Sequence, residues 1–185
     1  MEWPLVLLPF HVAFLHLIID PACSIVLEAE PGESNVMKRP PRRPEDSLFS
    51  RQTLWISVFQ GIGAMALVLG VYAVSLFWRI PTEQARSLTF LTLVVSNVAL
   101  IFTNRSWTRT IVGSLRESNP ALWWVTGGSA ILLALLIFVS PIRNAFRFAA
   151  LSWRQLVVCC VLGVGSVLWF EALKMWRLRG RQQSV

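Results

Sequence analysis

His16-Leu-Ile-Ile-Asp20-Pro21-Ala-Cys23-Ser24-Ile-Val-Leu-Glu28-Ala-Glu30-Pro31 sets a carboxylate and a proline inside an apolar segment that runs from about Leu5 to Leu27. Without Asp20 that segment reads as an ordinary membrane span. A charge at bilayer depth is costly and is kept for ion, proton or substrate handling. Pro21 has no N–H to offer the Leu17 carbonyl, and Pro9 frees the Leu5 carbonyl in the same way. Broken helices at membrane depth are tolerated where they line a cavity or a site. A carboxylate beside a freed carbonyl is a candidate cation site, and the pattern predicts a helix interrupted there.

The rest of the chain decides the setting. It is 55% hydrophobic and 15% charged, with a mean hydropathy of +0.57, which excludes an ordinary soluble domain of this length. Charge-free runs extend over Gln52–Trp78, Ser87–Asn104, Ser118–Ile142 and Gln155–Phe170. Since roughly 20 helical residues cross a bilayer core, the expected fold is all-α, a polytopic membrane helix bundle of about five transmembrane helices. The expected spans are about 5–27, 54–78, 87–104, 120–140 and 155–174 within one membrane domain, 1–185, with a Pro-rich cytoplasmic linker over 28–53. Trp3, Trp55, Trp78, Trp107, Trp123, Trp124, Trp153, Trp169 and Trp176 fall mostly near segment ends, as interface aromatics do.

Charge orients the bundle. With five spans, the linkers and tail carrying Lys38, Arg39, Arg42, Arg43, Arg51, Arg105, Arg109, Arg116, Lys174, Arg177, Arg179 and Arg181 share one side, 12 of the 17 basic residues. Arg79, Arg86, Arg143, Arg147 and Arg154 fall on the other. The positive-inside rule then places the C-terminus in the cytoplasm and the N-terminus outside. The net charge of +7 is accounted for by these loops and by anionic head groups. Nucleic-acid binding is disfavoured, because the basic residues are divided among short loops rather than gathered in a patch. The start, Met1-Glu2-Trp3-Pro4, lacks the positive region of a cleavable signal peptide.

On a helix, His16, Asp20, Ser24 and Glu28 recur every four residues and form one polar stripe. Asp20 offers a hard oxygen ligand, Ser24 a hydroxyl and His16 a nitrogen or a titratable proton. His11, His16, Asp20 and Cys23 make a rival transition-metal set, but His11 lies about 140° around the helix from His16. Ser96-Asn97 is a further polar candidate, with Asn97 a weak one, because a lone intramembrane Asn also serves as interhelical glue. Gly61-Ile-Gly63-Ala-Met-Ala66 and Gly163-Val-Gly165 follow no strand and read as sites of close helix approach. Cys159 and Cys160 read as small core residues rather than a redox pair.

Taken together, Leu7-Leu8-Pro9-Phe10-His11, the stretch His16 to Pro31, and Met37-Lys-Arg-Pro40-Pro41-Arg42 resemble the sixth membrane helix and following loop of P-type cation-transporting ATPases, the bacterial calcium-pump-like members above all. The likeness continues through Asn104-Arg-Ser106, Asn119-Pro-Ala-Leu122, Pro141 to Phe148 and Trp169 to Lys174. It implies that the spans correspond to membrane helices six to ten of a bacterial plasma-membrane pump. It makes Asp20 the transport-site carboxylate on an unwound helix, with calcium or another cation as cargo. Where the family carries an amide or acid this chain has His16, and where some calcium pumps have a hydroxyl it has Ile19. An imidazole suits a hard cation poorly, so the departure favours proton counter-transport or a softer metal. The two aspartates, Asp20 and Asp46, are not followed by the family's Lys-Thr-Gly, and Thr126 is followed by Gly127-Gly128 rather than the hinge motif. The resemblance therefore implies that ATP and magnesium are handled by domains outside this sequence, that no cofactor is bound by this chain alone, and that its partner besides the lipid bilayer is the N-terminal half of a pump. A pump regulator or scaffold and an independent proton or metal carrier remain the alternative readings.

Overall fold

A computed structural model of the chain describes residues 4–29, 51–104 and 119–182, with backbone alone at 21, 22, 52, 53 and 169–182. Among the described residues six helices follow one another: α1 Pro9–Glu28, α2 Arg51–Phe77, α3 Thr82–Asn104, α4 Pro120–Phe138, α5 Ser140–Ala145 and α6 Trp153–Gln182. There is no strand among the described residues, and α1 to α4 are each long and apolar enough to cross a membrane. A fifth apolar stretch, Trp153–Leu168, opens α6. The fold is all-helical. Most of the linker that joins α1 to α2, and the basic loop after Asn104, lie outside the described residues.

Local chemistry explains the helix ends. Pro9 sits in the first turn of α1, where a missing N–H costs nothing, so it starts the helix rather than breaking it. Pro120 opens α4 in the same way behind Asn119, whose side-chain oxygen accepts from Leu122 N–H at 3.2 Å. α2 closes in a Schellman turn, with Ile80 N–H donating to the Ser75 carbonyl and Arg79 N–H to that of Leu76, both at 3.0 Å. Arg79 takes the left-handed conformation there, with φ 54°, and Pro81 follows. The end of α5 repeats the device, with Arg147 at φ 48° and Phe148 N–H bonded to the Arg143 carbonyl at 3.0 Å. That second turn projects Phe146 and Phe148 back toward α1. Trp55, Trp78, Trp123, Trp124 and Trp153, all at or next to helix ends, are exposed as interface aromatics are.

α3 is the central helix. It runs parallel to α6, with contacts stepping from Gln84–Gln155 through the Leu88 carbonyl and Cys159 Sγ to Val95 and Gly163. A Cβ added at Gly163 would lie 2.6 Å from Val95 Cγ1, so glycine there is what allows the two helices to meet. Gly61 and Gly165 have open space around them, so of these three glycines only Gly163 realises the close approach read from the sequence. Cys159 is buried but Cys160 faces out, which corrects the reading of both as core, and neither is bonded to another cysteine. Polar α3 side chains close on their own helix: Ser87, Thr89 and Thr92 each donate to the carbonyl four residues back at 2.8 Å.

α1 packs chiefly on α4, and joins the α2–α3–α6 unit through a smaller contact with α3. The side-chain amide of Asn119 donates to the Val26 carbonyl at 3.2 Å, tying the end of α1 to the start of α4. At the other end, the segment ahead of α1 is pinned from two helices. Tyr72 donates its hydroxyl to the Pro4 carbonyl at 2.8 Å, and Arg86 Nη2 donates to that of Leu5 at 3.2 Å. His11 completes the joint. It is fully buried, stacked on Phe148 at 4.6 Å between ring centroids and flanked by Phe10, Phe90 and Phe146.

Two predictions test this packing. Gly163→Val should destabilise the bundle by about 1–3 kcal/mol, the usual cost of overpacking, and Val95→Ala should restore part of it; unfolding in a denaturing-detergent titration reads both. His11→Phe keeps the ring but leaves the Leu8 N–H and Phe146 carbonyl without their partner. It should cost about 2 kcal/mol in the same titration, in line with unsatisfied buried groups, and wild-type stability would refute the role given to the imidazole.

Candidate functional site

α1 carries the site, and its rotation about its own axis decides what the site can do. His11, Leu15, Ile18 and Val26 are buried, and all lie within one sector of the helix. At 100° per residue, His16, Asp20 and Ser24 are centred roughly 160° from that sector. The expected polar stripe exists, then, and it points away from the chain's own bundle. His16 Nδ1 lies 3.3 Å from Asp20 Oδ2, the i,i+4 pairing that the spacing predicts. The two side chains are 70% and 69% exposed. Ser24 and Glu28 are exposed on the same side. Asp20 stands about 17 Å along α1 from Pro9 at 1.5 Å per residue, deep within the span.

The helix is continuous through Pro21. The interruption expected at Asp20 is not present, in keeping with the tolerance of membrane helices for proline. The Leu5 carbonyl, expected to be free beside Pro9, is taken by Arg86.

The rival metal set is not assembled. His11 Nδ1 accepts from Leu8 N–H at 3.1 Å, so its proton is on Nε2, which donates to the Phe146 carbonyl at 2.8 Å. Both nitrogens are occupied, on the face opposite His16. Among the described residues no group of three or more His, Cys, Asp and Glu side chains is close enough to hold a metal ion. Asn97 donates to the carbonyl of Leu93 in its own helix at 3.0 Å, while the neighbouring Ser96 hydroxyl is buried without a partner among the described residues. The structure brings His16 and Asp20 together, and gives Asn97 no bond to either.

Arg86 was missed as a structural element. Counted among the arginines of a loop, it is buried instead, because α3 begins at Thr82 and carries it into the bundle. The signal was present: Pro81-Thr82-Glu83 has the proline, hydroxyl and first-turn acid of a helix start. Its Nε has no partner among the described residues.

A divalent hard cation takes six to eight oxygen ligands, or an octahedron for the smaller magnesium. One carboxylate, one imidazole and one hydroxyl on an open face amount to part of such a shell. Residues 4–176 match the family described as Cation transporting ATPase, C-terminus. The chain belongs to that family. It is 28% identical over 152 residues to a calcium-transporting ATPase of Bacillus subtilis, covering 80% of this chain and 17% of the relative. A calcium-transporting ATPase 1 of Bacillus cereus is 25% identical over 191 residues, 95% of this chain and 21% of the relative. The human calcium-transporting ATPase type 2C member 1 is 24% identical over 162 residues, 85% of this chain and 17% of the relative. The chain thus spans about a fifth of the length of the curated relatives it matches. It corresponds to the C-terminal membrane part of a P-type cation pump.

An outward carboxylate at mid-span should obstruct membrane insertion of α1. Asp20→Leu is expected to raise the inserted fraction of α1, by the equivalent of about 3 kcal/mol for a central Asp on insertion scales. A glycosylation reporter placed before Pro9 in the full chain measures it, and an unchanged fraction would mean that Asp20 does not meet lipid.

Proposed function

We propose that this chain supplies the last five membrane helices of an ATP-driven cation pump, with Asp20 and His16 forming its share of the ion path. The observation that carries the reading is the direction of the α1 stripe. A carboxylate and an imidazole deep in a span, turned outward from the chain's own helices, are costly against hydrocarbon and call for cover by further polar helices. A family in which this region is only about a fifth of each relative provides such cover. In this reading further helices of the pump complete the coordination shell, and its cytoplasmic domains bind ATP and magnesium and supply phosphoryl transfer. Calcium, named in the relatives' descriptions, is the cargo we favour. His16 would carry a counter-transported proton beside Asp20. The C-terminal tail lies in the cytoplasm, as the distribution of arginines supports.

The test is reconstitution. The chain is co-expressed with a polypeptide carrying the catalytic domains and first five membrane helices of a calcium-transporting relative. ATP-dependent uptake of labelled calcium into inverted vesicles is expected, and Asp20→Ala should abolish it while the chain remains inserted. Uptake that survives Asp20→Ala would sink the assignment. Ion flux into liposomes from this chain alone, without ATP, would favour an independent carrier.

A further inference from the structure

On the side of the bundle formed by α2, α3 and α6 there is a groove of about 530 Å³, within the range of small-molecule sites. Its walls are aliphatic, from Leu67 and Val74 of α2, Leu88 of α3, and Val158 and Leu162 of α6. Val74 and Val158 are about half exposed, so the groove is open on its outer side. It begins at Trp78, where α2 ends, and runs down to Leu67, about 17 Å at 1.5 Å per residue. That is close to one leaflet's half of a hydrocarbon core of about 30 Å.

The polar groups of the groove gather at the membrane-edge end. Arg154 and Gln155 line it there beside Trp78. Arg154 stacks on Trp153, 5.6 Å from its ring, and has no carboxylate within ion-pairing distance among the described residues. Gln155 Oε1 accepts from Ser152 N–H, Ser152 Oγ and Gln84 Nε2 at 2.9, 3.1 and 3.2 Å. Because a backbone N–H can only donate, this fixes the amide's orientation and leaves its NH₂ group without an acceptor among the described residues. A guanidinium and an amide NH₂ thus stand at the mouth with donors to spare. The chemistry that answers them is an anionic phosphate.

We propose that this groove binds one anionic phospholipid, an acyl chain lying along α2 and α6 and the phosphate held by Arg154 and Gln155. The length argues against a membrane helix of a partner or a second copy, which would need a groove running the full thickness of the bilayer rather than stopping at Leu67 and Leu162. The charge argues against a neutral lipid. Gly70 lies in the wall with open space where a Cβ would stand, so a larger residue there can fill the groove without moving the backbone.

The full chain, purified in detergent, is incubated with phosphatidylglycerol or phosphatidylcholine of matched acyl chains, and retained lipid is counted by native mass spectrometry. Phosphatidylglycerol should be retained about tenfold better, because phosphatidylcholine offers the same phosphate but its quaternary ammonium opposes the Arg154 guanidinium. Arg154→Gln should bring it down to the phosphatidylcholine level and Arg154→Lys should keep most of the preference. Gly70→Leu should lower retention of both lipids, with helix content by circular dichroism unchanged. Equal retention of the two lipids by the wild type would overturn the proposal, as would a preference that survives Arg154→Gln or binding unaffected by Gly70→Leu. A lipid-free dimer cross-linked through Val158→Cys would overturn the proposal and assign the groove to a second copy.

Discussion

The seating of the His11 imidazole sets the geometry of everything that α1 presents. Its two nitrogens bridge the backbone before α1 to the carbonyl of Phe146, 135 residues away, and its ring stacks on Phe148. A residue held on both edges and one face fixes the rotation of the helix that carries it. Once His11 points inward, the 3.6-residue repeat leaves no freedom at positions five and nine residues on. His16 and Asp20 must point outward. The buried polar residue that binds the bundle together and the exposed polar pair that faces away from it are therefore consequences of one helical phase. The second Schellman turn, with Arg147 in the left-handed region, is what brings Phe146 and Phe148 to meet the ring.

The other polar groups inside the bundle show how Asp20 and His16 differ from ordinary structural polarity. Thr89, Thr92 and Ser87 close on carbonyls of their own helix, Asn119 caps α4 and reaches Val26, and Tyr72 and Arg86 hold the backbone that enters α1. The α3 hydroxyls thereby satisfy their own donors, and Asn119, Tyr72 and Arg86 serve backbone groups at or beyond helix ends. Among the described residues Asp20 accepts from no backbone group, and its one ion-pair partner there is His16 at 3.3 Å, which leaves most of its acceptor capacity unused. Those other polar groups are consumed by the fold, whereas the Asp20–His16 pair is left over, which is what the ion-path role proposed for it requires.

Much of this was legible in the sequence where the information is local. The helical class follows from apolar run lengths, and the His16–Asp20 contact from a spacing of four. The role of Pro9 was misjudged because a proline in an apolar run reads the same whether it interrupts a helix or starts one. The difference lies in Leu8, which is extended, with ψ 157°. His11 could not be assigned from spacing, since its partners belong to a loop far along the chain. Nor could Arg86, whose burial depends on where α3 begins. The glycine pairs were legible as close-approach candidates, but only the facing Val95 distinguishes Gly163 from Gly165.

The two outward faces of the bundle differ in what they can meet. The groove on α2, α3 and α6 is aliphatic along its length and cationic at its rim, so fluid lipid with an anionic head group matches it from one end to the other. The α1 face places its charge in the middle of the span, about 17 Å from Pro9, where a lipid has only hydrocarbon to offer. Apolar surface at mid-depth costs nothing in a bilayer, whereas a carboxylate there is costly without polar neighbours. The depth at which each charge sits, rather than how exposed it is, separates the face that suits a lipid from the face that requires more protein. On that criterion, the proposed lipid groove and the proposed ion path fall on faces whose charges sit at the depths each role needs.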